Sequence, residues 1–129
     1  MRILLVDCHS DARTAIARWL DEFFAHVEIE PSASAAEAVI ALRKSTPDLV
    51  ITAHALPGLD GIALASIVKS RPNPPPVVVL STGCGGGVDL WLEKRHLQAV
   101  FLDFLQRRFP ETWARSVAQR RMARAHRRG

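Results

Sequence analysis

Pro47-Asp48-Leu49-Val50-Ile51-Thr52-Ala53-His54-Ala55-Leu56-Pro57-Gly58-Leu59-Asp60-Gly61 sets a strand, a turn and a helix start in immediate succession. Leu49, Val50 and Ile51 form a short apolar run, two of the three β-branched, as expected of a central strand covered on both faces of a parallel sheet. Pro57-Gly58 forces a turn, and Asp60 can accept a hydrogen bond from the first turn of a helix opening at Gly61-Ile62. Ligands of open α/β sheets sit outside the carboxyl ends of such strands, so this junction is where a site belongs.

Toward the amino end the same grammar repeats. Ile3-Leu4-Leu5-Val6 is another apolar run, ending in Asp7, and suits a second central strand. A helix capped by Ser10 or Asp11 follows, with Ala12, Ile16, Trp19, Leu20 and Phe23 recurring along one face. Val27-Glu28-Ile29-Glu30 alternates apolar and charged residues before Pro31, the pattern of a half-exposed edge strand. Ser34-Ala35-Ala36-Glu37 is a capping box, and Ala35, Ala38, Val39 and Leu42 line one face of the helix it opens. That helix ends near Thr46-Pro47, because the residue before a proline avoids helical angles.

Toward the carboxyl end, Ile62, Ala65, Ile67 and Val68 give a short helix stopped by Ser70-Arg71-Pro72. Val77-Val78-Val79-Leu80 is wholly apolar and mostly β-branched, and it delivers Ser81 and Thr82 to its carboxyl end. The pliable loop Gly83-Cys84-Gly85-Gly86-Gly87 lacks the Gly-Lys-Ser/Thr of a nucleotide-binding P-loop. Val88 to Arg95 is expected to be helical, Ala99 to Leu102 a fifth strand, and Glu111 to about Ala125 a last helix, with Pro110 in its first turn and Trp113, Val117 and Met122 facing inward. Five strands alternating with five helices and joined by right-handed crossovers imply a three-layer, doubly wound α/β domain. The half-polar second strand suits the edge of order 2-1-3-4-5.

The 129 residues, 48% hydrophobic, suit one globular domain. The expected division is a domain over residues 1–125 and a basic tail over 126–129. No apolar run approaches the ~20 residues of a membrane span, and Cys8 and Cys84 form no disulfide framework, so the expected compartment is the cytosol. The pI of about 9.8 belongs to the end of the chain. Residues 107–129 hold eight arginines against one glutamate, a net +7, whereas residues 1–106 hold nine basic and twelve acidic side chains, a net −3.

The stretch 47–61 resembles the P-D-L-V-x-x-D-x-x-x-P-x-x-D-G signature of response regulator receiver domains, the CheY-like modules of bacterial two-component signalling. The resemblance covers residues 1 to about 105. Ile3 to Asp7 match the strand that ends in the family's acidic pair, Glu37-Ala38 suit its second helix, and Ser81 takes the place of its hydroxyl. Phe101 corresponds to the switch aromatic on the fifth strand. The chemical positions depart from the pattern: the acidic pair is Asp7-Cys8, Ala53 replaces the aspartate that accepts a phosphoryl group, and Phe104-Leu105 are read in place of the Lys-Pro after the fifth strand.

Aspartyl phosphorylation needs a carboxylate nucleophile, Mg²⁺ held by hard oxygen ligands, and a hydroxyl and a lysine for the phosphoryl oxygens. Only Asp7 and Ser81 remain of that set, so the expectation is a non-catalytic receiver-like module with no cofactor, in which Mg²⁺ binds weakly or not at all. The resemblance implies a signalling protein as partner, met through the fourth helix, fifth strand and fifth helix, a surface that also permits self-association. A second reading uses Arg115, Arg120, Arg121 and Arg124 against the phosphates of a nucleic acid or another acidic surface. A third places a soft metal or redox site on Cys8, His9, His54 and Cys84, which all fall on loops at the same sheet edge.

Overall fold

In the computed structural model, residues 1–23, 27–80, 90–92, 103–104, 106–111 and 114 are described. Its sheet is built on β1 (Arg2–Val6), β2 (Glu28–Ser32), β3 (Leu49–Ala53), β4 (Val77–Leu80) and β5 (Leu90–Leu92), all parallel and in the order β2-β1-β3-β4-β5. The expected doubly wound topology is therefore the observed one. The apolar runs that mark β1, β3 and β4 lie in its middle, where no residue of β3 or β4 is more than slightly exposed. β2 lies at an edge, and it runs through Pro31, which pairs with Leu5. An edge strand tolerates a residue with no N–H, because one side of its ladder has no partner to supply.

Strand alternation splits the core in two. Ile3, Leu5, Leu49, Ile51, Val78 and Leu80 face one side, where Ile16 and Leu20 of α1 (Ser10–Phe23) cover them. Leu4, Val6, Val50, Val77 and Val79 face the other, against Ala38 and Leu42 of α2 (Ala35–Lys44) and Leu64 and Val68 of α3 (Gly61–Lys69). Burying each such Leu, Ile or Val side chain contributes about 1.5–3 kcal/mol, so two filled faces hold the central strands in register. α2 and α3 start as their sequences dictate. Ser34 Oγ accepts the Glu37 N–H at 3.2 Å while Glu37 Oε2 accepts that of Ala33 at 2.7 Å, and Asp60 Oδ1 accepts the Ala63 N–H at 2.8 Å.

The carboxyl third differs from expectation. Residues 90–92, expected within a helix spanning 88–95, are β5, with Val78, Val79 and Leu80 opposite Leu90, Trp91 and Leu92. Nine residues, 81–89, which lie outside the described ones, separate β4 from β5 in the sequence. A strand of three residues is too short for alternation to reveal. The expected fifth strand at Ala99–Leu102 lies outside the described residues, as do Trp113, Val117 and Met122. Asp103, Phe104 and residues 106–108 are helical, so helix begins upstream of the expected start at Glu111. Phe104 and Phe109 pack on the α1 side of the core.

Candidate functional site

The site is built where β1 and β3 end side by side. Val6 pairs with Thr52, so the next step along each strand brings Asp7 and Ala53 to neighbouring places at the carboxyl edge of the sheet. Asp7 is fully buried, and its N–H donates to Ser32 O at 3.0 Å, prolonging the β1–β2 ladder by one bond. There the strand stops, because Asp7 Oδ1 accepts the N–H of His9 at 2.9 Å, the side-chain turn by which aspartate competes with a ladder. The His9 carbonyl accepts the Arg13 N–H at 3.0 Å and so begins α1, one residue ahead of the caps expected at Ser10 or Asp11. Arg13 Nη1 reaches back to the Asp7 carbonyl at 2.6 Å.

Around this turn, side chains of three consecutive residues converge. His9 Nδ1 lies 3.4 Å from Asp7 Oδ1 and 3.6 Å from Cys8 Sγ. Cys8 is partly buried, with its sulfur 3.8 Å from the Ala55 carbonyl of the facing loop. Asp7 and Cys8, singled out as remnants of an acidic pair, are thus brought together with His9. His54 is not in the cluster, and Cys84 lies outside the described residues.

Ala53, buried at the end of β3, presents only a methyl group. Thr52 Oγ1 donates to its carbonyl at 2.9 Å, the His54 N–H continues the pairing with Leu80 O at 3.1 Å, and the Gly61 N–H returns to His54 O at 2.7 Å. Gly58, at φ 76°, takes the left-handed conformation the turn requires and a glycine accepts without strain. The backbone of this junction is held by hydrogen bonds on both sides of Ala53.

Mg²⁺, which receiver chemistry implies, does not fit these residues. It favours several hard oxygen ligands, whereas among the described residues the group gathered at this edge is one carboxylate, a thiol and an imidazole.

Ser81, Phe101, Arg115, Arg120, Arg121 and Arg124 lie outside the described residues. Phe104 is described, and it corrects the reading that placed it at the lysine position after the fifth strand. It is helical, half-buried and packed against the α1 face of the core, well downstream of β5. With β5 at Leu90–Leu92, the strand lies upstream of the 99–102 segment from which Phe104 was counted, and it carries Trp91.

The profile of the Response regulator receiver domain family matches residues 3–111. Among curated proteins, 79 residues are 37% identical to a positive alginate biosynthesis regulatory protein of Pseudomonas aeruginosa, covering 60% of this chain and 32% of that protein. Another 33% identity over 108 residues joins 75% of the chain to 14% of a gliding motility regulatory protein of Myxococcus xanthus. The chain therefore spans about a third and a seventh of these relatives. Among solved structures, the signal receiver domain of a signal transduction histidine kinase from Syntrophus aciditrophicus superposes with a TM-score of 0.75 at 24% identity, over 84% of this chain and 89% of that one. The response regulator TrrA of Thermotoga maritima, solved with Mg²⁺ and a beryllium fluoride, gives 0.75 at 20% identity, over 84% and 98%. These likenesses show the fold, and with the profile match across most of the chain they establish that the protein belongs to the response regulator receiver domain family of two-component signalling.

Proposed function

We propose that this receiver domain signals without accepting a phosphoryl group, as a pseudo-receiver that acts by protein–protein contact. The observation that carries the reading is Ala53, buried at the end of β3 beside the place of Asp7, where transfer needs a carboxylate nucleophile. The residues around it strengthen the case, since a lone buried aspartate and a thiol make a poor Mg²⁺ site.

A covalent switch shifts an equilibrium only through different interactions with two states, and here the group that supplies the difference has no attachment point. One conformation then dominates, and abundance or the partner regulates binding. The contact surface includes β5, an edge strand of the sheet, together with the arginine-rich segment that carries Arg115, Arg120, Arg121 and Arg124. Its charge favours an acidic signalling partner or the acidic body of a second copy.

A pull-down with the full chain, with and without a small phosphodonor, tests this reading. Equal capture of a signalling protein in both conditions, weakened by salt and by Arg120→Glu with Arg124→Glu, supports it. Capture that requires the phosphodonor overturns it. Retention of duplex DNA with the same salt dependence, in the absence of a protein partner, favours the nucleic-acid reading.

A further inference from the structure

We propose that Asp7, Cys8 and His9 form a Zn²⁺ site with three protein ligands and one open coordination position at the carboxyl end of β1. The donors are a carboxylate oxygen, a thiolate sulfur and an imidazole nitrogen, all within 4.8 Å of one another. Such a set suits a borderline-soft dication and repels Mg²⁺, which favours oxygen.

The spacing matches the ion. With Zn–O and Zn–N bonds of about 2.0–2.2 Å, a Zn–S bond of about 2.3 Å and tetrahedral angles, the oxygen–nitrogen edge is about 3.3–3.5 Å and the sulfur–nitrogen edge about 3.6 Å. The observed edges are 3.4 Å from Asp7 Oδ1 to His9 Nδ1 and 3.6 Å from Cys8 Sγ to His9 Nδ1. Two of the three ligand–ligand edges are therefore already set for one ion.

The site is also partly preorganised. Asp7 is fully buried and oriented by the His9 N–H, as ligating carboxylates commonly are by an outer hydrogen bond. Cys8 is only partly buried and the His9 side chain is 72% exposed, so both can adjust to the ion and leave it an entry path. Binding exchanges the Cys8 S–H bond for a sulfur–zinc bond and releases the proton to solvent. Carboxylate and thiolate together neutralise the dication, and the Arg13 guanidinium is engaged by the Asp7 carbonyl rather than by the ligating oxygen. Three protein ligands leave the fourth position to water or to a donor from a partner, the open arrangement of catalytic rather than structural zinc sites. Because His9 also begins α1, the ion would act on that helix from the end of the sheet where receivers are modified. Zn²⁺ binding at this site does not depend on phosphoryl uptake.

Titration of the metal-free full chain with Co²⁺, followed by Zn²⁺ displacement, tests it. The expected result is one equivalent of Co²⁺ giving a thiolate charge-transfer band, displaced by Zn²⁺ and unaffected by a large excess of Mg²⁺. Cys8→Ser should abolish the band, His9→Ala should weaken Zn²⁺ binding at least tenfold, and Cys84→Ser should change neither. Zn²⁺ should also raise the melting temperature of the wild type but not of Cys8→Ser. Absence of a thiolate band, or a band that survives Cys8→Ser and is lost in Cys84→Ser, overturns the assignment.

Discussion

The carbonyl oxygen of Ala53 occupies the space that a β-carbon on Gly61 would need. At the same place the Gly61 N–H donates to His54 O at 2.7 Å, so α3 starts in direct backbone contact with the end of β3. The glycine is required by this approach rather than by its backbone angles. Gly61→Ala should destabilise the domain by about 1–3 kcal/mol, the range for an overpacked site, because the colliding atom is backbone and cannot rotate away. Urea unfolding measures it, and an unchanged midpoint would mean that α3 can move off the strand.

Asp60 closes the same junction from the helix side. Its Oδ1 accepts the Ala63 N–H at 2.8 Å, so Asp60→Ala should lower stability by about 1 kcal/mol, while Asp60→Asn, which still caps, should cost less. Equal losses in the two variants would point to the charge rather than the hydrogen bond.

Phe104 belongs to the core rather than to a phosphoryl site. Phe104→Lys places a cation against the apolar cluster on the α1 side of the core and should destabilise the domain by about 1–3 kcal/mol, with Phe104→Ala close behind. In a background carrying Ala53→Asp and Cys8→Asp, a stable Phe104→Lys protein that took up phosphate faster would restore the lysine reading of this position.

Much of this architecture is legible in the sequence, for reasons that differ by element. The apolar runs of β1, β3 and β4 are long enough to identify themselves, and the caps at Ser34 and Asp60 are local chemistry that tertiary context rarely overrides. β5 is not legible, because three residues flanked by acids carry no period. Phe104 was misplaced as a consequence, since counting from a strand at 99–102 put an interior aromatic at a functional position. A soft-metal site on Cys8 and His9 was legible, but their grouping with Asp7 rather than with His54 and Cys84 was not: successive side chains of a strand point to opposite faces, and the turn made by Asp7 Oδ1 with the His9 N–H breaks that alternation.

Restoring the nucleophile alone should not restore transfer. Ala53→Asp buries a carboxylate beside that of Asp7, at a cost of about 1–3 kcal/mol, and leaves Cys8 where Mg²⁺ lacks an oxygen ligand. Ala53→Asp combined with Cys8→Asp should bind Mg²⁺ and take up phosphate from a small phosphodonor. Rapid uptake by the single variant would show that neighbouring groups already hold the metal.

The most direct test of a receiver that signals without a phosphoryl switch is the intact mass of the unaltered chain after incubation with Mg²⁺ and a small phosphodonor. The account predicts an unchanged mass, because the methyl group of Ala53 cannot attack phosphorus. A stoichiometric, hydrolysable phosphate adduct would contradict it and place the acceptor on another residue.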